Sequence, residues 1–164
     1  MVAAMVISIV VSCAMICVRS LTRSVPINYI CLLIFTIAET YMVAAIAATY
    51  SKDVVMMAAC TTAGITIAIT AYAMFTKADF TILGPLFFVI GMAMFMFCIF
   101  SFFIRYDTAR MIWATIGVIL YGLFLIFDTQ LILGGKRYQI DIDDYILGAF
   151  ILYTDIIMIF LYLL

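Results

Sequence analysis

The sequence of 164 residues contains no histidine, only two prolines and few charged residues. Without histidine the chain cannot build Ser-His-Asp or Cys-His catalytic sites, His-ligated metal centres or a histidine pH switch. Any response to pH must therefore come from carboxylates. Charged residues make up 10% of the chain, against about a quarter in a soluble domain. The net charge of −1 leaves no basic surface for nucleic acid, so nucleic-acid binding is excluded as a function.

Apolar residues dominate the composition. They account for 70% of the chain, and the mean hydropathy is +1.36. A soluble fold of this length could not hide so much apolar surface from water. The composition therefore excludes a soluble enzyme and predicts an all-α polytopic membrane protein, a single transmembrane domain over residues 1–164 whose main partner is the lipid bilayer.

Six apolar stretches are each long enough for a membrane helix, which needs about 20 residues. They cover residues 1–18, 28–49, 54–75, 82–104, 111–133 and 145–164. Short charged breaks separate them and hold 14 of the 17 charged residues. The first, third and fifth breaks hold Arg19, Arg23, Lys77, Lys136 and Arg137. The second and fourth hold Lys52, Arg105 and Arg110. Positively charged loops favour the cytosol, so this asymmetry predicts that the first set is cytosolic.

Three acidic residues lie inside the apolar stretches: Glu39, Asp128 and Asp155. An ionised acid costs about 2.5–3.5 kcal/mol at the centre of a membrane, so each should face the bundle, find a partner or stay protonated. Intramembrane acids are candidates for function, and the alternative interpretation is a buried structural hydrogen bond. The spacing permits Asp128 and Asp155 to form a pair but does not show one.

Helical spacing places each aspartate on a face with small and aromatic residues, which is typical of contacts between membrane helices. The face of Asp128 carries Ala114, Gly117, Tyr121 and Phe124. The face of Asp155 carries Gly148, Leu152, Ile159 and Tyr162.

Three threonines, Thr62, Thr66 and Thr70, follow one face of the third stretch and form, with Glu39, a candidate secondary polar site. These hydroxyls either line a polar path or bond to the backbone and to a neighbouring helix, as membrane threonines commonly do.

Two segments resemble the transmembrane Bax-inhibitor-motif family, and its Lifeguard branch in particular. The first is FLIFDTQLILGG, which is similar to the family's F-x-x-x-DTQ-L-x-x-G segment, and the second is DYILGAFILYTDII in the last helix. The loop TKADFT at residues 76–81 also looks like the family's loop between helices four and five. The resemblance covers about residues 28–164.

The resemblance implies a seven-helix bundle with the last helix at its centre, so that a first helix is expected to be missing here. It further implies that Asp128 and Asp155 form a hydrogen-bonded pair that senses pH and gates a calcium leak. Calcium is then the permeant ion, crossing beside the two aspartates, and no cofactor is expected. The family is linked to suppression of cell death in the endoplasmic reticulum, Golgi or plasma membrane. Its arginine that bridges to the aspartate pair has no clear counterpart, because Arg19 and Arg23 lie beyond the first apolar stretch.

Three functional hypotheses follow. The leading one is a pH-gated calcium leak channel of endomembranes with an anti-apoptotic role. The second is a non-conducting interaction protein that regulates apoptosis by binding other membrane proteins. The third, an intramembrane aspartyl protease, is disfavoured because no Gly-x-Gly-Asp precedes Asp155.

Overall fold

A computed structural model describes residues 1–101 and 107–164, with side chains for residues 1–94 and 111–164. All regular secondary structure in these ranges is helical. The α-helices are α1 (Val2–Cys17), α2 (Arg19–Arg23), α3 (Ile27–Ala47), α4 (Lys52–Phe75), α5 (Gly84–Ser101), α6 (Asp107–Leu133) and α7 (Tyr145–Leu163). Short 3₁₀ turns at Phe80–Leu83 and Ile142–Asp144 precede α5 and α7. Arg105, placed by the sequence in the fourth break, lies outside the described residues.

Four helices are long and apolar enough to cross a bilayer, namely α3, α4, α6 from Met111 onward, and α7 together with its preceding turn. Helix α1 is apolar but has 16 residues, or about 24 Å of rise. The described apolar segment Phe80–Met94 is also shorter than a full span. The all-α polytopic membrane architecture is confirmed.

Several helix ends differ from the boundaries that apolar stretches predict. Lys52 and Asp53 open α4, and Asp107 and Arg110 lie within α6, although the charge pattern places all four in breaks. Both helices therefore begin a few residues before their apolar stretches. Charged side chains are tolerated at a helix end that water can reach. An acidic residue such as Asp53 also suits the positive end of the helix dipole.

Helix α7 is the most enclosed element of the described chain. It contacts α2, α3, α4 and α6, and of its residues only Tyr145 and Ala149 are exposed. Phe150 packs edge-on against Phe35 of α3 with ring centroids 4.7 Å apart, in a core that also contains Met15 of α1. This enclosure agrees with the expected central position of the last helix.

The interface of α6 and α7 includes part of each predicted face. Gly117 lies against the ring of Tyr162, and Tyr121 packs on the same ring at a centroid distance of 5.6 Å. At the other end of the interface, Gly148 lies against Ile132. Gly117, Tyr121, Gly148 and Tyr162 of the predicted faces lie at this interface. Ile132 is not one of the residues predicted for the α6 face, and Phe124 of that face packs against Phe87 of α5.

Gly117 offers a direct test of this interface. A Cβ added there would lie 2.4 Å from a ring carbon of Tyr162, so the ring or the helix must shift. We expect Gly117→Ala to lower the unfolding temperature of the purified protein, since overpacking costs about 1–3 kcal/mol. Gly64→Ala is the matched control, because nothing lies within 4 Å of its added Cβ. Equal unfolding temperatures for the two variants would show that α6 and α7 do not pack as described.

Candidate functional site

Asp128 of α6 and Asp155 of α7 lie close enough for their carboxyl groups to interact. Asp155 is 5% exposed, and Asp128 is half-buried. A hydrogen bond between two carboxyl groups requires that one of them carries a proton, because a carboxylate has no donor. The fold therefore brings together the two acids that the sequence singled out, at the most enclosed helix interface.

Unpartnered oxygen atoms mark this region. Asp155 Oδ2 and the hydroxyl of Thr129, the residue that follows Asp128, are buried with no hydrogen-bond partner among the described residues. Buried polar atoms are nearly always partnered, and one that is not costs stability. A proton held between the two carboxyls would relieve part of this cost.

The three threonines of α4 have different environments. The Thr62 hydroxyl donates to the Ala58 carbonyl at 2.8 Å, whereas the Thr66 hydroxyl is buried without a partner among the described residues. Both line an open groove of about 470 Å³ between α4 and α7, whose α7 side is formed by Ile156, Ile157 and Phe160. Thr70 is half-buried. A polar path along this face stays a prediction.

Glu39 lies on α3 and accepts a hydrogen bond from Ser8 of α1. Among the described residues, the groups that act electrostatically on Asp128 and Asp155 are those two carboxyls themselves. Glu39 thus belongs to a separate polar contact that links α1 and α3.

Arg23 binds the start of α7, not the aspartate pair. Its Nε and one terminal nitrogen each lie 2.7 Å from an oxygen of Asp144, and the same nitrogen lies 3.2 Å from Asp141. Hydrogen bonding to Asp144 raises the pKa of Arg23. This bidentate geometry is the stronger kind of arginine–carboxylate hydrogen bonding. Sequence reasoning missed it because the partners are 121 positions apart.

A second contact missed by the sequence involves the loop 76–81. Gln130 of α6 binds backbone groups of this loop, and Lys136, just after α6, donates to three of its carbonyls. Together with the Arg23–Asp144 pair, this contact brings the first, third and fifth breaks to one side of the molecule. That arrangement is the one the alternating topology requires.

The fold and its paired intramembrane acids define a class: polytopic helical membrane proteins with a carboxyl pair at the central helix.

Comparison with known proteins places the chain in a family of membrane proteins. The family model described as inhibitor of apoptosis-promoting Bax1 matches residues 1–164. Human protein lifeguard 3 is 37% identical over 152 residues, covering 90% of this chain and 49% of the relative. The mouse protein lifeguard 3 is 36% identical over the same length, with the same coverage of both chains. Mouse protein lifeguard 4 is 31% identical over 142 residues, covering 85% of this chain and 57% of the relative.

The chain belongs to the Bax inhibitor family. The family match covers the whole chain, and so extends the resemblance that the sequence motifs gave from about residue 28 onward. The chain spans about half the length of the lifeguard relatives it matches.

Proposed function

We propose that this protein is a pH-sensitive calcium leak channel of cellular membranes, with an anti-apoptotic role, gated by Asp128 and Asp155. The observation that supports the proposal is the proximity of two intramembrane carboxyls on adjacent helices, one of them buried. Two carboxylates in a site of low dielectric constant cannot both ionise cheaply. They share one proton, and the pair titrates as a unit.

The gate follows from the charge of the pair. At acidic pH the shared proton keeps the carboxyls bonded and holds α6 against α7. As pH rises the proton leaves, the two like charges repel, and the helices separate. The freed carboxylate oxygens are ligands of the kind that calcium prefers. We propose calcium as the permeant ion and the endoplasmic reticulum or Golgi membrane as the location, with the plasma membrane as the alternative.

The proposal is tested by calcium release from liposomes that contain the purified protein. Flux should rise as pH increases and should exceed that of protein-free liposomes at every pH at which the gate is open. A protein that carries no calcium at any pH, yet binds other apoptosis-regulating membrane proteins, would favour the non-conducting alternative. The non-conducting alternative is supported by the family's description as inhibitor of apoptosis-promoting Bax1.

Glu39 should not belong to the pH sensor, because its hydrogen bond joins it to Ser8 of α1 and not to the aspartate pair. We expect Glu39→Gln to keep the wild-type dependence of calcium flux on pH. The amide retains the shape of the side chain and still accepts a hydrogen bond from Ser8. A folded Glu39→Gln protein whose flux no longer responds to pH would place Glu39 in the sensor.

A further inference from the structure

Gln130 is fully buried and binds the backbone at three points. Its Oε1 accepts from the Phe80 amide at 2.9 Å, and its Nε2 donates to the carbonyls of Ala78 at 2.9 Å and Ala73 at 3.5 Å. The residue is 1% exposed. One side chain of α6 therefore fastens this helix to the end of α4 and to the loop before α5.

The same loop is held by the segment that follows α6. The Lys136 ammonium donates to the carbonyls of Thr76, Lys77 and Ala78 at 3.1–3.2 Å. The Arg137 amide donates to Asp79 Oδ2 at 3.2 Å. Both contacts reinforce the attachment that Gln130 makes.

Asp79 orders the loop from within. Its Oδ1 accepts from the Thr81 amide at 2.9 Å, and hydrogen bonding from Thr81 holds the pKa of Asp79 below its usual range. The loop 76–81 is therefore ordered, and its hydrogen bonds hold α6 in one position.

Gln130 follows Asp128 by two residues, so the two side chains differ by about 200° around α6 and about 3 Å along it. Asp128 faces α7 while Gln130 faces the loop. Any rotation of α6 that turned Asp128 away from Asp155 would also pull Gln130 out of its buried site. Leaving its backbone partners unsatisfied would oppose that rotation.

We propose that Gln130 is a positioning residue for the gate: by binding the loop 76–81 it fixes the rotation and depth of α6 that keep Asp128 opposite Asp155. This inference rests on the proposed function, since it assigns Gln130 a part in the pH response. Gln130 does not touch the carboxyl pair and acts through the helix that carries Asp128.

The test uses Gln130→Leu, with Gln139→Leu as the matched control, because Gln139 is exposed and follows the same helix. In liposomes, Gln130→Leu should raise calcium flux at acidic pH about fivefold or more and make the flux–pH curve shallower. Gln139→Leu should keep the wild-type curve. Gln130→Met keeps the length of the side chain but loses all three hydrogen bonds, so it should act like Gln130→Leu. It is the second variant if the leucine variant does not fold.

A second readout does not depend on flux. In a protein whose five cysteines are replaced, Ile132→Cys and Gly148→Cys should cross-link, because the Gly148 Cβ position lies 3.2 Å from Ile132 Cγ1. Adding Gln130→Leu should slow this cross-link, and Gln139→Leu should not. Unchanged cross-linking and an unchanged flux–pH curve in folded Gln130→Leu would overturn the inference. Absence of any pH-dependent flux in the wild type would instead count against the proposed function, while cross-linking would still decide the positioning role.

Discussion

Replacing Asp128 or Asp155 with asparagine should remove most of the pH dependence of calcium flux. If a single shared proton controls the gate, wild-type flux changes by up to about tenfold per pH unit. Asparagine cannot ionise, so in either variant the repulsion between two carboxylates never develops. We therefore expect a nearly flat flux–pH curve for each variant in liposomes.

The double variant should add little to either single one, because the two aspartates act as one unit and their effects are not additive. Asp53→Asn is the matched control, since this exposed acid in the first turn of α4 lies away from the pair. It should keep the wild-type curve. Wild-type pH dependence in both aspartate variants would refute the gate and favour the interaction-protein hypothesis.

Among the substitutions proposed for this protein, Asp144→Arg, which reverses one charge of the Arg23–Asp144 pair, should lower the stability most. The Asp144 side chain is 10% exposed and bonded twice by Arg23, so Asp144→Arg would bring two guanidinium groups together at the start of α7. Only the Asp144 end of the pair is buried; the change there removes both hydrogen bonds from Arg23 and adds repulsion between like charges. The unfolding temperature of the purified protein should fall clearly.

Exchanging both charges, Arg23→Asp with Asp144→Arg, should recover much of that loss, because the opposite charges face each other again and the net charge of this side is unchanged. Asp143→Arg is the control: it makes the same charge change one residue earlier, at an exposed position. If the exchanged protein is no more stable than Asp144→Arg alone, the pair does not hold α7 as described.

The positions of the long helices could be predicted from the sequence because lipid imposes a simple rule. Hydrocarbon cannot satisfy backbone polar groups, so apolar stretches become helices and charges collect between them. The same rule makes Glu39, Asp128 and Asp155 conspicuous. Small-residue spacing then predicts the faces on which α6 and α7 meet, and both aspartates lie on those faces. The amino-acid pattern alone is therefore enough to make the two aspartates candidates for a pair.

The polar contacts between distant segments could not be predicted in this way. Arg23 and Asp144 are separated by 121 positions, and Gln130 and Phe80 by 50. Each of these residues looks ordinary in its local sequence, as a loop charge or a polar neighbour of an aspartate. Their partners are set by how the helices pack, and no local pattern encodes that packing.

Proton sharing by Asp128 and Asp155 is the central claim, and infrared titration of the purified protein in lipid tests it most directly. The carbonyl stretch of a protonated carboxylic acid should disappear in the wild type over the same pH range in which calcium flux rises. In each single asparagine variant this titration should move away from that range, and in the double variant it should be absent. A carboxylic acid signal that titrates with the flux and persists unchanged in the double variant would contradict the account.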